Sequence, residues 1–403
     1  MQKMVFFFGR NPVLSLAELS CLLEARNPGA RIQPLWNNAA LVEGLSIEPK
    51  KAMNWLGGTI KIARVCCELQ NLTEKNVLEE LGKNNFFNQL EGKFFFSLSR
   101  LGKISEEEQE SILQALKQGF KKNGQKALLK HGTKRKQQNQ FVTNPSEIIS
   151  WKLVETKTDL AVAKTANGFL FCQTIAVSKP SEWERRDENR PHKDNKEIVS
   201  IRLAKMLVNL AGLKEKQTVL DPFCGYGTVL QEALLNGLNG IGIEKEKAKA
   251  DATKKNLAWL AKQYQGIGKV AVHNKDAVYA QSFLKKGDFQ AAVTEPYMGP
   301  YLAKRPSPEL AKRILNELQP LYQKLFSELA MLMNRGERVV FVFPVFELFN
   351  NQQLRLPETV FSAWFESTNP LQSVGPEFSK AFPMPYQNPK NKLLREIRVL
   401  QRK

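Results

Sequence analysis

The sequence predicts an α/β protein whose C-terminal half folds as an open, mostly parallel sheet. One observation is a glycine turn: a short apolar run ends at Asp221, Gly225 and Gly227 follow, and a helical pattern begins near Val229. A second is the alternation of short apolar runs with longer helical patterns, which is typical of βαβ units. A third is that acidic residues follow successive predicted strands. Strand, glycine turn and helix together predict a nucleotide-binding sheet, since glycines let backbone N–H groups approach a ligand.

The overall charge indicates a polyanionic partner. The chain has 403 residues and a formal net charge of +19, with a pI near 9.6, and its length suits roughly two or three domains. A balance this basic favours nucleic acid first and an anionic membrane surface second. No apolar run reaches transmembrane length, and the run before Arg10 is too short for a secretory signal. We therefore expect a soluble, cytoplasmic protein.

The cysteines and histidines predict neither a disulfide framework nor a metal site. The five cysteines are odd in number, Cys66 and Cys67 are adjacent, and no Cys-x-x-Cys pattern occurs. The three histidines, His131, His192 and His273, are scattered along the chain. We therefore expect buried thiols, surface imidazoles and no bound metal.

Residues 1–68 predict a small α+β unit. Apolar runs predict four strands, over Val5–Phe8, Ile32–Leu35, Ala39–Val42 and Ile60–Glu68. The Asn37-Asn38 pair predicts the turn between the second and third of these. Ser15, with Glu18 three residues later, predicts a capping box ahead of a leucine-rich helix.

Residues 69–177 predict a second α+β unit. Helices are expected over Thr73–Leu81, Ser105–Lys122 and Asn144–Trp151, the last with Pro145 in its first turn. Strands are expected over Lys93–Ser99, Ala127–Lys130, Leu160–Lys164 and Phe169–Ala176. The last two strands flank Asn167-Gly168, which predicts a hairpin.

A polar and basic loop follows the predicted strand that ends at Lys130. It runs through residues 130–140 and carries four cations, Lys130, Lys134, Arg135 and Lys136, without apolar periodicity. The loop is compatible with simple solvation and also with contact to phosphates. In the second case it would add affinity that depends on salt and not on nucleotide sequence.

A charged stretch over residues 178–197 predicts a linker and the clearest domain boundary. An amphipathic helix is expected over Ile198–Leu210, and further helices over Ala248–Gln263 and Pro308–Asn334. Strands are expected over Val219–Leu220, Gly240–Ile243, Val270–His273, Phe289–Val293, Arg338–Phe343 and Glu396–Leu400. The proline-rich segment Gly375–Lys392 predicts a long loop near the sheet edge.

Four strand ends of this half carry candidate site residues: Asp221, Glu244, Asp276 and the segment Thr294–Tyr297. In an open parallel sheet, ligands bind beyond the carboxyl ends of the strands. An acid about twenty residues past the glycines suits a ribose diol, which fits Glu244. An acid at the third strand end suits an adenine amino group, which fits Asp276. Together these residues predict a nucleoside-type cofactor, either a dinucleotide or S-adenosylmethionine.

The glycine segment favours S-adenosylmethionine. It reads Asp-Pro-Phe-x-Gly-x-Gly-Thr over residues 221–228 and not Gly-x-Gly-x-x-Gly. This resembles motif I of class I methyltransferases that act on exocyclic amines. The resemblance implies a second motif at the fourth strand end, usually Asp/Asn-Pro-Pro-Tyr/Phe, where this chain has Thr294-Glu-Pro-Tyr297. Two positions differ, because Thr294 replaces the acid or amide and Glu295 replaces the first proline.

The amine chemistry explains what these positions must do. An exocyclic amine of a nucleobase is a poor nucleophile, and acceptors that hold its hydrogens assist its attack on a sulfonium methyl group. In the family the first side chain and the following carbonyl supply these acceptors, while the aromatic residue stacks on the flipped base. Glu295 could supply the carboxylate that Thr294 lacks. Cys224 is expected to pack rather than act as a nucleophile.

The first half and the linker resemble tRNA guanine-N2 methyltransferases with a THUMP domain. The segments that carry the resemblance are Trp183-Glu-Arg-Arg-Asp187, Asn189-Arg-Pro-His-Lys-Asp194 and the Leu203–Ala211 helix. The resemblance implies a ferredoxin-like domain over 1–68, a THUMP-like RNA-binding domain over 69–177 and a Rossmann-like methyltransferase domain over 198–403. It also implies action on tRNA, at the guanosine of position 10 in the best-known members. The sequence does not give the oligomeric state, and we expect a monomer.

The predicted site combines both sources. Cofactor contacts are expected from Asp221, Phe223, Gly225, Gly227, Thr228, Glu244 and Asp276, and catalytic contacts from Thr294, Glu295, Pro296 and Tyr297. Two alternatives stay open: a tRNA-binding protein with a catalytically degenerate methyltransferase domain, and an amino-methyltransferase that acts on ribosomal RNA or DNA.

Overall fold

The computed structural model describes residues 2–35, 38–132, 142–193, 199–302, 304–387 and 393–403. The chain divides into two compact units. The first comprises Met1–Leu16, Gly29–Asn54 and Gly58–Glu182, and the second comprises Ala17–Pro28, Trp55–Gly57 and Trp183–Lys403. The division into separate ferredoxin-like and THUMP-like domains stays a prediction.

The first unit is built on one sheet of eight strands within the described residues. The strands are β1 (Lys3–Phe8), β2 (Arg31–Leu35), β3 (Ala39–Glu43), β4 (Thr59–Leu69), β5 (Lys93–Leu101), β6 (Lys126–Leu129), β7 (Asp159–Lys164) and β8 (Phe169–Val177). Their order is β2-β3-β1-β4-β8-β7-β5-β6. Both predicted α+β units therefore contribute strands to the same sheet, joined where β4 pairs antiparallel with β8.

The helices of this part of the chain are α1 (Pro12–Arg26), α2 (Pro49–Trp55), α3 (Glu74–Lys83), α4 (Glu106–Lys122) and α5 (Pro145–Ser150). Ser105 forms the predicted start of α4 as a full capping box with Glu108. The run of three phenylalanines in β5 alternates as a half-buried strand should: Phe94 and Phe96 are buried and Phe95 is 42% exposed.

The capping box predicted at Ser15 is wrong. Helix α1 already begins at Pro12, and the Ser15 hydroxyl donates a hydrogen bond to the carbonyl of Asn11 at 2.8 Å. Glu18 is buried, and its carboxylate accepts hydrogen bonds from the Gly57 backbone N–H and the Asn209 side chain, each at 2.7 Å. A buried acid with these partners serves the core and not a helix terminus. The turn predicted at Asn37-Asn38 lies partly outside the described residues.

The second unit contains the predicted open sheet. Its strands are β9 (Thr218–Asp221), β10 (Asn239–Ile243), β11 (Val270–His273), β12 (Ala291–Thr294), β13 (Arg338–Glu347), β14 (Gln353–Arg355), β15 (Phe365–Thr368), β16 (Met384–Gln387) and β17 (Leu394–Arg402). The main order is β11-β10-β9-β12-β13-β17-β15. The first five of these strands run parallel and β17 runs antiparallel to β13. The predicted α/β fold class is thus confirmed for this half.

The later helices are α6 (Pro180–Glu188), α7 (Ile201–Leu210), α8 (Thr228–Leu235), α9 (Lys247–Gln263) and α10 (Pro308–Leu332). The polar stretch after residue 178 contains α6, in which the buried Arg186 pairs with Glu232, and its role as a linker between domains stays a prediction. One prediction here needs correction. The segment predicted as the loop Gly375–Lys392 contains β16, which pairs antiparallel with β17, and its residues 388–392 lie outside the described residues.

The core of the second unit packs α10 against the sheet. Its centre is a group of buried aromatic rings, with Tyr322 and Phe326 from α10 facing Phe341 and Phe343 from β13. Among the described residues, no helix combines the length and the apolar character needed to cross a bilayer. The same residues include no group of three or more histidine, cysteine or acidic side chains placed to hold a metal ion.

Candidate active site

The glycine turn between β9 and α8 has the backbone that the sequence predicts. Gly225 has φ +49° and Gly227 has φ +84°, both left-handed, and Gly227 is the N-cap of α8. A Cβ on Gly227 would lie 2.8 Å from Thr253, whereas one on Gly225 would meet nothing within 4 Å. The Thr253 hydroxyl donates to the Gly225 carbonyl. Helix α9 therefore fixes the turn against the sheet.

Asp221 ends β9 as a buried carboxylate. Its Oδ1 accepts hydrogen bonds from the Phe223 N–H at 3.1 Å and from the Thr294 hydroxyl at 2.8 Å. Burial raises the pKa of Asp221 from its ordinary 3.8 to about 7, although these two hydrogen bonds lower it. The charges of Glu244 and Glu295 raise it further. The pKa of this carboxyl therefore lies near neutral pH.

Glu244 follows β10 and braces the glycine turn. Its Oε2 accepts a hydrogen bond from the Gly225 N–H at 3.1 Å, and its Oε1 accepts one from the Glu246 N–H at 2.9 Å. Each carboxylate oxygen keeps a further lone pair for a hydroxyl. Asp276, after β11, accepts from the Val278 N–H at 3.2 Å and caps a short 3-10 helix. Ribose and adenine contacts of these two acids stay predictions.

A pocket opens beside the turn. Of the predicted site residues, it brings together Asp221, Phe223, Gly225, Thr228 and Glu295. Its remaining wall was not predicted as cofactor-binding and consists of Val199, Cys224, Tyr226, Val229 and Lys249. Among the described residues, the wall does not include Glu244, Asp276, Gly227, Thr294, Pro296 or Tyr297.

The unpredicted wall residues differ in how far the sequence could indicate them. Tyr226 and Cys224 alternate with the two glycines, so the turn itself indicates them. Lys249 lies in the first turn of α9, five residues after Glu244, where a strand-end acid already indicates the site. Val199 precedes α7 and carries no signal in its own sequence context. Burial also raises the pKa of the Cys224 thiol well above its ordinary value, which favours packing over nucleophilic attack.

The residues that follow β12 differ in burial and in contacts. Thr294 is fully buried and turned toward Asp221. Glu295 lines the pocket, and its Oε1 lies 2.5 Å from the Arg395 Nε. Tyr297 is 53% exposed, and its carbonyl accepts a hydrogen bond from the buried Tyr322 hydroxyl at 2.6 Å. The backbone that follows Tyr297 is therefore anchored, while the ring itself is exposed.

The linker that carries the resemblance is built into the second unit. Arg190 donates to the Thr228 hydroxyl at 2.8 Å, directly behind the pocket wall. Asn256 of α9 accepts from the His192 N–H at 2.9 Å and donates to the Tyr226 carbonyl at 3.0 Å. Arg190 and His192 thus support the glycine turn. The sequence indicated this segment only through its resemblance.

Buried charges hold the linker helix α6 to α7 and α8. Arg186 and Lys205 both pair with Glu232, at 3.1 Å each. Burial alone would raise the pKa of Glu232, but the charges of Lys205 and Arg186 lower it below its ordinary value. These three side chains are fully or nearly fully buried, so their ion pairs hold both α6 and α7 to α8.

Of the four cations predicted to contact phosphates, Lys130 lies within the described residues. The Lys130 Nζ lies 4.4 Å from the centre of the Phe95 ring and 5.6 Å from that of Trp151. Lys134, Arg135 and Lys136 lie outside the described residues. Their contact with phosphates stays a prediction.

Comparisons with known proteins agree with the resemblance. Residues 77–255 match the N6_N4_Mtase family model, described as a DNA methylase. The chain is 35% identical over 160 residues to the tRNA (guanine(10)-N2)-dimethyltransferase of Methanocaldococcus jannaschii, covering 37% of this chain and 43% of that protein. It is 34% identical over 134 residues to the protein of the same name from Methanothermobacter thermautotrophicus, covering 32% and 37%. The matched part spans less than half the length of these curated relatives.

The fold has a known counterpart among solved structures. TrmN from Thermus thermophilus aligns over 100% of both chains with a TM-score of 0.50 and 13% sequence identity. An identity this low concerns the fold alone. It confirms the predicted fold class of mixed α and β structure.

Proposed function

We propose that this protein is an S-adenosylmethionine-dependent tRNA methyltransferase that acts on the exocyclic N2 of a guanosine, with position 10 favoured by its relatives. The observation that carries the proposal is the acidic pocket beside the glycine turn, with Asp221 and Glu295 in its wall and Glu244 against the turn. The names of the curated relatives support the same activity. We further propose a cytoplasmic monomer.

The pocket suits the proposed cofactor by charge. When bound, S-adenosylmethionine supplies a methyl group on a sulfonium centre and carries an ammonium group as well. Carboxylates are the natural neighbours of such cations, and Asp221 and Glu295 both line the pocket. We assign the methionine end to Asp221, Phe223, the glycines and Thr228, the ribose to Glu244 and the adenine to Asp276.

The target base would enter from the fourth strand end. Glu295 accepts hydrogen bonds from the amine, and Tyr297 stacks on the flipped base with its exposed ring. Pro296 between them is buried and fixes φ, which holds the two side chains in a constant relation. The Tyr322 hydroxyl on the Tyr297 carbonyl supports the same loop. We assign tRNA contact in the first unit to Lys130 and to the cations at 134–136.

A DNA amino-methyltransferase is the second candidate, because the matching family model is described as a DNA methylase. A chain that binds tRNA without methylating it is the third. All three share the fold and a cofactor pocket, so only the product of the reaction separates them.

The deciding experiment incubates the protein with unmodified tRNA and labelled S-adenosylmethionine, in parallel with DNA duplexes. Nuclease digestion and mass spectrometry then identify the methylated nucleoside and its position. We expect N2-methylguanosine in tRNA and no label in DNA. Label in DNA alone would favour the second candidate, and cofactor binding without transfer to any substrate would favour the third.

Glu295→Ala tests the assigned acceptor in the same assay. We expect methyl transfer to fall by at least about 100-fold, as for removal of a key electrostatic group, while S-adenosylhomocysteine still binds. Transfer at the full rate would refute the role given to Glu295.

A further inference from the structure

A buried ion pair connects the end of β12 to the last strand of the sheet. The Glu295 Oε1 lies 2.5 Å from the Arg395 Nε, and the two side chains are only 6% and 8% exposed. Burying two charges carries a large desolvation cost, so the pair is weak evidence for stability alone. One member of the pair is the proposed catalytic acid, so the pair also bears on how that acid is oriented.

The two oxygens of the Glu295 carboxylate are in different situations. Oε1 is held by Arg395, whereas the buried Oε2 has no hydrogen-bond partner among the residues that the structure describes. An unsatisfied buried carboxylate oxygen is costly, and a ligand that brings an N–H donor removes that cost. Because Glu295 lines the pocket, a substrate N–H that reached the buried Oε2 there would supply the partner that this oxygen lacks.

Arg395 acts on this site from outside it. Of the described residues, those that form the pocket wall do not include Arg395. Its backbone lies between two neighbouring strands, with Pro344 of β13 on one side and Tyr386 of β16 on the other. The adjacent acid Glu396 is engaged by Arg355 and Arg398. Arg395 is therefore held by a paired strand, and its Nε bonds Glu295, while its buried Nη1 has no hydrogen-bond partner among the described residues.

We propose that Arg395 is a positioning residue that fixes Glu295 by one oxygen so that the other accepts a hydrogen of the target amine. This inference rests on the proposed function. During transfer the amine nitrogen forms the bond to the methyl carbon, and the electron pair of the carbon–sulfur bond remains on sulfur. The amine loses one proton to Glu295 Oε2, which passes it to water. Rotation of the carboxylate would remove Oε2 from the nitrogen, and the bond to Arg395 prevents it.

The test compares Arg395→Gln, Arg395→Lys and the matched control Arg398→Gln. Arg398 lies on the same strand and is also buried and ion-paired, but with Glu396 and Glu358. The readouts are single-turnover methyl transfer, KM for tRNA, Kd for S-adenosylhomocysteine and thermal unfolding. Arg395→Gln should lower the transfer rate about 100-fold, the scale of a misplaced catalytic group. KM and Kd should stay within about threefold, because Arg395 does not form the wall.

The conservative variant distinguishes positioning from a structural role. Arg395→Lys keeps a cation but not the guanidinium fork, so it should recover the transfer rate to within about tenfold of wild type. Arg398→Gln should change the transfer rate less than threefold even where it lowers the unfolding temperature. Unchanged transfer in Arg395→Gln, or an equal loss in Arg398→Gln, would overturn the positioning role.

The failure of this inference is separable from failure of the proposed function. Transfer by the wild type to DNA and not to tRNA would refute the proposed substrate, and the same three variants compared on DNA would still decide the role of Arg395. Cofactor binding without transfer to either substrate would refute both proposals, because no amine would then be positioned.

Discussion

The ionisation of Asp221 should make cofactor binding depend on pH. In the empty pocket burial raises the pKa of Asp221 to about 7. The proposed cofactor brings positive charge, which favours the ionised carboxylate and lowers the pKa in the complex. Above pH 7 the carboxylate is already ionised and binding costs nothing extra. Below pH 7 a proton must leave Asp221 when the ligand binds, so affinity falls as the pH falls.

The size of the effect follows from the pKa. Each pH unit below the pKa of the free site should raise the apparent Kd about tenfold, which is about 1.4 kcal/mol. Between pH 8 and pH 5.5, with a free pKa of about 7 and a bound pKa below the tested range, the total is about 30-fold. The negative charges of Glu244 and Glu295 contribute to the raised pKa of Asp221. A positively charged ligand offsets these charges, so its binding lowers the pKa of Asp221 and releases the proton.

Isothermal titration calorimetry with S-adenosylmethionine measures both quantities. Titrations in two buffers of different ionisation enthalpy should show no proton release at pH 8 and close to one proton at pH 5.5. Asp221→Asn should bind more weakly at pH 8 and lose the pH dependence. Glu246→Gln, which removes a more exposed carboxylate, should retain it. A Kd that changes less than threefold over this range, or an Asp221→Asn protein with the full dependence, would refute the assignment.

Three further outcomes are expected. Gly227→Ala should lower the unfolding temperature and cofactor affinity more than Gly225→Ala, because both introduce a strained left-handed φ but only the first also brings a Cβ within 2.8 Å of a side chain; equal losses in both assays would contradict this. Glu232→Gln should cost about 3–5 kcal/mol in urea unfolding at pH 7, since it leaves two buried cations without their acid, and the cost should disappear as the pH falls below the lowered pKa of Glu232. Glu246→Gln, at a surface pair, should cost less than about 1 kcal/mol. Neutralising the cations at 134–136 should weaken tRNA binding and reduce its salt dependence; an unchanged salt slope in filter binding would remove this loop from the interface.

Local signals predicted the elements that depend on local chemistry. The helix that begins after Ser105 and the strand over Lys93–Ser99 both form as predicted, because caps and strand faces are set by residues a few positions apart. The same pattern failed at Ser15, where Glu18 is drawn into the core by partners distant in sequence. Strand β16 was missed because its pairing with β17 outweighs a proline-rich composition.

The site shows the same division. The glycine turn and the strand-end acids are regular features of an α/β sheet, so their positions were predictable from spacing. The Glu295–Arg395 pair was not, because its members are 100 positions apart and meet only through the order of the strands. The support that Arg190 gives to Thr228 is likewise a contact between distant segments.

The two differences from the usual motif, Thr294 and Glu295, can be explained together by the charges around them. The Thr294 hydroxyl lies 2.8 Å from Asp221 Oδ1. A carboxylate at position 294 would raise the pKa of Asp221 further, because like charges repel. Threonine donates a hydrogen bond there instead. The acid lies one position later, where Arg395 balances its charge. An acid at position 295 paired with Arg395, in place of an acid at position 294, therefore supports the proposed active site over a degenerate one.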